Sequence, residues 1–159
     1  MNVFARQSFM TLVFAAALAV MPAAQGPDPF VGTWKLNVAQ STFSPGPPPK
    51  EATLVIKKVG EKTNSILNME LGTGMKIMFE YTVTQDGTEA AIPGGGRIDA
   101  VSEYRINPRT VARNDKKDGK VTRAQYAVVS QDGKTLRAEI ATINAQGVPV
   151  NDVQVFEKQ

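Results

Sequence analysis

The chain has 159 residues, with 18 Lys and Arg against 15 Asp and Glu, and contains neither Cys nor His. That absence excludes Ser-His-Asp and Cys-His nucleophiles, thiolate or imidazole zinc sites, and disulfides, so one hydrophobic core must hold the fold. A formal charge of +3 calls for no nucleic-acid partner.

Residues 1–24 read as a secretory signal peptide. Arg6 is the one charge near the start, and Met10 to Met21 is apolar apart from Thr11. This run is short for a bilayer span, and Pro22-Ala23-Ala24-Gln25 supplies the small residues of a cleavage site. The expectation is an exported chain, periplasmic or secreted, with one domain over residues 25–159 and no stable membrane insertion after cleavage.

Phe30-Val31-Gly32-Thr33-Trp34-Lys35-Leu36 opens that domain as a β-favouring run around the single Trp. Trp has a large area to bury and an N–H that needs an acceptor. Gly32, two residues earlier, permits a bend or a close approach by another segment. Val38 to Thr42 can form at most a turn. Ala39 to Lys50 follows as the one long connection, centred on Ser44-Pro45-Gly46-Pro47-Pro48-Pro49. Consecutive prolines favour extended polyproline backbone. A lid, a recognition strip and a rigid connector are all consistent with that.

Short β-like runs then succeed one another. Glu51 to Val59 aligns Ala52, Leu54 and Ile56, and Asn64 to Leu71 aligns Leu67, Met69 and Leu71. Met75 to Thr84 is the clearest, with Met75, Ile77, Phe79, Tyr81 and Val83 on one face. Lys76, Glu80, Thr82 and Thr84 take the other, Met78 being the exception. A period of two sustained over that length is a strand. Ile98 to Ile106 places Ile98, Ala100, Tyr104 and Ile106 together. Thr110 to Lys117 reads as a polar strand with an exposed face. Val121 to Ser130, Lys134 to Ile143 (Leu136, Ala138 and Ile140 aligned) and Val150 to Phe156 complete the set. Gly72-Thr73-Gly74, Gln85-Asp86-Gly87, Pro93-Gly94-Gly95-Gly96, Asp118-Gly119, Gln131-Asp132-Gly133 and Asn144-Ala145-Gln146-Gly147 punctuate them as turns. The pattern predicts an all-β fold, an antiparallel up-and-down barrel of about eight to ten strands, closed to remove exposed edges.

Candidate functional residues are few. Leu67, Met69, Met75, Ile77, Phe79 and Tyr81 form an apolar group on two neighbouring runs, suited to lining a ligand cavity. Ordinary core filling is the competing reading. Arg109, Arg113, Lys116, Lys117, Lys120 and Arg123 gather around one turn, where a solvated hairpin and a contact for anionic partners compete. Glu70, Glu80, Asp99 and Glu103 leave carboxylate chemistry formally open, but they mostly alternate with apolar neighbours, as solvent-facing residues do. No catalytic residue, metal ligand or cofactor is assigned, and the chain is read as a non-enzyme.

Gly32 and Trp34, preceded by Phe30 at the start of a meander barrel, resemble the lipocalin (calycin) signature. Asn37, Ser41, Phe43, Pro45, Gly46, Pro47, Pro49 and Lys50 extend the similarity to a family of small exported bacterial lipocalin-like proteins. The resemblance implies a Trp packed across the closed end of the barrel and a small apolar or amphipathic ligand inside. Lipocalins place an Arg on that Trp near the last strand; here Lys158 or Arg137 would stand in. The Arg-x-Tyr pair that fatty-acid binders use for a carboxylate is missing. The alternative is a filled barrel serving as a cell-envelope interaction module through the Pro-rich loop or the basic hairpin.

Overall fold

The structure, a computed structural model, describes residues 26–44, 46–94, 96–143 and 147–159. The leader expected over 1–24, Pro45, Gly95 and the Asn144 to Gln146 part of the last turn lie outside them. The elements are β1 (Gly32–Leu36), a 3-10 turn (Val38–Gln40), β2 (Glu51–Val59), β3 (Lys62–Glu70), β4 (Lys76–Val83) and β5 (Asp86–Ala91). They continue with β6 (Ala100–Asn107), β7 (Thr110–Lys117), β8 (Lys120–Val129), β9 (Thr135–Ile143) and β10 (Pro149–Lys158). All ten strands form one antiparallel sheet in the order β4-β3-β2-β1-β10-β9-β8-β7-β6-β5. It curls into a nearly closed up-and-down barrel of the lipocalin-like class that the strand pattern predicts. No ladder joins β4 to β5, and side chains bridge the seam between them.

β5 was not among the runs identified from the sequence. Its ladder with β6 shifts register between Asp86 and Glu89, and Gly87 holds φ at 92°. The bulge breaks the two-residue period and gives the segment the composition of a turn.

The inward face is fixed by the ladders. Trp34 lies opposite Leu54, Leu54 opposite Leu67, and Leu67 opposite Phe79. On the other side Phe156 pairs with Leu136, and Gln154, Ala138 and Ala127 form a further inward row. The core accordingly gathers Phe30, Trp34, Leu36, Ala52, Ile56, Val111, Leu136, Ala138, Ile140 and Phe156.

One end of the barrel is closed by the segment before β1. Phe30 is buried there, and its N–H donates to Asp28 Oδ1 at 3.0 Å. The Arg105 guanidinium lies 4.7 Å from the Phe30 ring and bonds to Asp28 Oδ2 at 2.6 Å. Trp34 is fully buried, and its indole Nε1–H donates to the Phe30 carbonyl at 2.8 Å. Burying about 200 Å² of indole contributes on the order of 5 kcal/mol. The cation on that ring is Lys158, 4.9 Å from its centroid, while Arg137 points outward to Glu139.

The Pro-rich connection is pinned along its length. Thr42 pairs with Val153, the Ser44 N–H donates to Asp152 Oδ1, Phe43 packs on the core and Pro49 is buried.

Gly32 has φ of +145°, and a Cβ there would stand 2.7 Å from Lys158 Cε. Lys158 can swing aside only by leaving Trp34, and the backbone strain would remain. Gly32→Ala should therefore cost about 1–2 kcal/mol, read as a lower urea midpoint with an unchanged slope. An undiminished midpoint would contradict this role for the glycine.

Candidate functional site

The barrel encloses a two-sided cavity. Leu54, Ile56, Leu67, Ala127, Leu136, Ala138 and Phe156 form an apolar wall. Thr63, Ser65, Tyr81, Gln85, Glu103, Arg113, Arg123 and Gln125 form a polar one. Its atom-free space, counted out to the mouth, is about 670 Å³, of which about 60 Å³ can take the centre of a water molecule. A single water needs roughly 10–15 Å³ by that measure, so a few waters or a small ligand fit without rearrangement.

Strand register assembles the polar wall. Glu103 on β6 lies opposite Arg113 on β7, which lies opposite Gln125 on β8. One inward step along, Asp115 lies opposite Arg123. Arg113 Nε donates to Asp115 Oδ1 at 2.6 Å, and Arg123 donates to Asp115 Oδ2 at 3.2 Å and to Gln125 Oε1 at 2.6 Å. Asp115 thus bridges two guanidinium groups.

Glu103 is 5% exposed and accepts at both oxygens. The Tyr81 hydroxyl donates to Oε1 at 2.6 Å and Gln85 Nε2 donates to Oε2 at 3.0 Å. Arg105 Nε donates to Gln85 Oε1, which fixes the amide so that its NH2 faces Glu103. The Arg113 guanidinium carbon lies 4.2 Å from the Tyr81 ring and 5.3 Å from Phe79. These contacts join β6 and β7 to β4 across the seam.

The sequence reading of this region needs correction. The inward residues of β6 are Val101, Glu103 and Arg105, whereas Tyr104 and Ile106 are exposed. Glu103 is therefore an interior carboxylate, not a solvent-facing one. Thr110 to Lys117 is not merely a polar strand with an exposed face, because Val111, Arg113 and Asp115 point into the barrel. The basic group is split between the interior, where Arg113 and Arg123 lie, and the surface, where Lys117 faces Asp99.

Of the residues singled out as candidate lining, Leu67 and Tyr81 line the cavity. Phe79 packs beside Tyr81 with ring centroids 5.5 Å apart, and Met69 packs against the core. Met75 and Ile77 stand at the open rim, 61% and 41% exposed, and are not part of the lining. Sequence reasoning missed Glu103, Arg113, Asp115, Arg123 and Gln125 as a group. The signal available was the alternation Val111-Arg113-Asp115 opposite Arg123-Gln125-Ala127, two charged faces on consecutive runs.

Burial and the charges around it set the electrostatics. Burial works against the charge of Arg113, but Tyr81, Asp115 and Glu103 outweigh it and hold its proton more tightly than usual. Burial, reinforced by Arg113, pulls Arg123 the other way. Burial also pushes the Tyr81 phenol well above its ordinary range; Arg113 opposes this and Glu103 adds to it.

No family model matches the sequence, and no curated protein does. Among solved structures, the chain is similar to a Schistosoma mansoni fatty acid binding protein in complex with arachidonic acid. The TM-score is 0.53 at 10% identity, over 82% of this chain and 96% of that one. It is also similar to a zebrafish ileal bile acid-binding protein complexed with cholic acid. There the TM-score is 0.51 at 14% identity, over 82% of this chain and 99% of that one. At such identities the likeness is one of fold.

The raised phenol carries a sign. Unfolded chains lose the tyrosine proton from about pH 10, whereas folded Tyr81 retains it, so stability present below that pH falls as pH rises beyond it. In an alkaline absorbance titration, the Tyr81→Phe difference spectrum should show the Tyr81 phenolate only as the protein unfolds. A reversible phenolate signal in the folded state would contradict its burial.

Proposed function

We propose that the protein binds a small amphipathic molecule in the barrel interior, its apolar part against Leu67, Ala138 and Phe156 and its polar part against the Arg113 wall. The observation that carries this reading is the state of Arg113. It makes one side-chain hydrogen bond, from Nε, yet no buried side-chain nitrogen or oxygen lacks a partner among the described residues. Its terminal nitrogens therefore keep some accessible surface, and Arg113 is part of the cavity lining. A buried ion cluster is weak ground for stability, since apolar replacements of similar volume often serve as well or better. A cluster beside a cavity with donors to spare is suited to holding a ligand.

The fold supports the same reading by analogy: both similar structures were solved with an amphipathic molecule bound. Each buried methylene of such a ligand would contribute about 0.8 kcal/mol. Export belongs to the proposal, supported by the leader pattern of residues 1–24. The N-terminal residue of the protein recovered from the exported fraction checks it; an intact Met1 would sink this part.

Ala138 is buried on the apolar wall and touches no part of the polar cluster's hydrogen bonding. Ala138→Leu fills cavity space and should cost about 1–3 kcal/mol through crowding. An environment-sensitive apolar fluorophore should bind the native protein, and its affinity should fall at least about tenfold in this folded variant. Equal uptake by both, or by neither, would leave a filled barrel acting as an interaction module.

A further inference from the structure

Fatty and bile acids are anionic, and an arginine-lined interior invites the expectation of an anionic ligand. The charge arrangement argues otherwise. Two guanidinium groups, Arg113 and Arg123, share the cavity wall with the Glu103 carboxylate, and a second carboxylate, Asp115, pairs with both arginines from behind that wall. Asp115 takes a bond from each arginine, and the geometry of Glu103 is that of an ionised carboxylate accepting at both oxygens. The formal charges cancel. A further cation, Arg105, is held by Asp28 at the closed end.

From this balance we propose that the site selects an uncharged amphipathic ligand, an alcohol, ester or amide, whose oxygen accepts from the terminal nitrogens of Arg113. The inference rests on the ligand-binding reading and specifies its substrate class. An anionic head would leave a net negative charge inside a low-dielectric wall, with the Glu103 carboxylate in the same inward row as Arg113. An uncharged acceptor makes the same hydrogen bonds and leaves the balance intact. The apolar wall then provides most of the affinity, and the arginine orients the head. Arg113 already lies on the rings of Tyr81 and Phe79, which fix its plane and limit how far it can swing toward another acceptor.

The test is a matched ligand series, octanol, octanamide and octanoate, titrated by calorimetry into the whole protein at neutral pH. Octanol and octanamide should bind, and octanoate should bind at least about tenfold more weakly than octanamide. Glu103→Gln keeps an acceptor for Tyr81 while removing one negative charge. In this variant the octanoate-to-octanamide ratio should shift toward octanoate by about tenfold or more. Tighter binding of octanoate than octanamide to the native protein overturns the inference while leaving ligand binding intact. So does a ratio that Glu103→Gln does not move, measured on a variant whose circular dichroism shows it folded. Failure of all three ligands, together with no uptake of the apolar fluorophore, overturns the ligand-binding reading as well.

Discussion

The hydrogen bond from Tyr81 to Glu103 crosses the one place where the sheet does not pair with itself. A ten-stranded meander without a final ladder leaves β4 and β5 as two edges with unpaired backbone groups, an arrangement that invites strand addition by other chains. Here the seam is spanned by side chains. Tyr81, Val83 and Val101 form a small buried cluster with Phe79, Ala90 and Ile92 around it. Tyr81 reaches Glu103, and Arg113 lies on the two β4 rings. The groups that seal the seam are the groups that line the cavity, so barrel closure and the cavity's polar wall rest on the same contacts. A molecule that engages Arg113 acts on both.

This coupling explains the division of labour between the ends of the barrel. At the closed end, Phe30, Trp34, Arg105 with Asp28, and Lys158 over the indole form a packed plug whose polar groups are all engaged locally. The middle of the barrel differs: Arg113 and Arg123 are held by Asp115, and Arg113 lines the cavity with only its Nε bonded to another side chain among the described residues. The open rim carries the exposed Met75 and Ile77. Rigid plug, polarised wall and apolar rim follow one another along the barrel axis.

Much of the fold was legible in the sequence because one face of most strands is apolar. Ala52-Leu54-Ile56, Phe79-Tyr81-Val83 and Leu136-Ala138-Ile140 alternate cleanly and point inward. The Gly-x-Trp element drew attention to a buried indole but left its cation open between Lys158 and Arg137; Lys158 lies over the ring. Alternation misleads where the inward face is itself charged. On β6 the apolar residues Tyr104 and Ile106 are the exposed ones, while Glu103 and Arg105 are inside, so alternation pointed to the wrong face. On β7 and β8, Arg113, Asp115 and Arg123 looked like surface because charged residues are rarely buried unless paired. Their pairing comes from cross-strand register, which a linear pattern does not encode. β5 escaped for a different reason: its bulge at Gly87 has the composition of a turn.

If the charged interior exists to hold a molecule, native mass spectrometry of the protein isolated from its own source, with a second spectrum after denaturation, should reveal that molecule. The expected native spectrum shows a mass above that of the chain, lost on denaturing, from a compound with an apolar body and a hydrogen-bond-accepting group. A bare chain mass in both spectra, unchanged after incubation of the folded protein with a total extract of amphipathic compounds from the same source, would contradict that role for the interior.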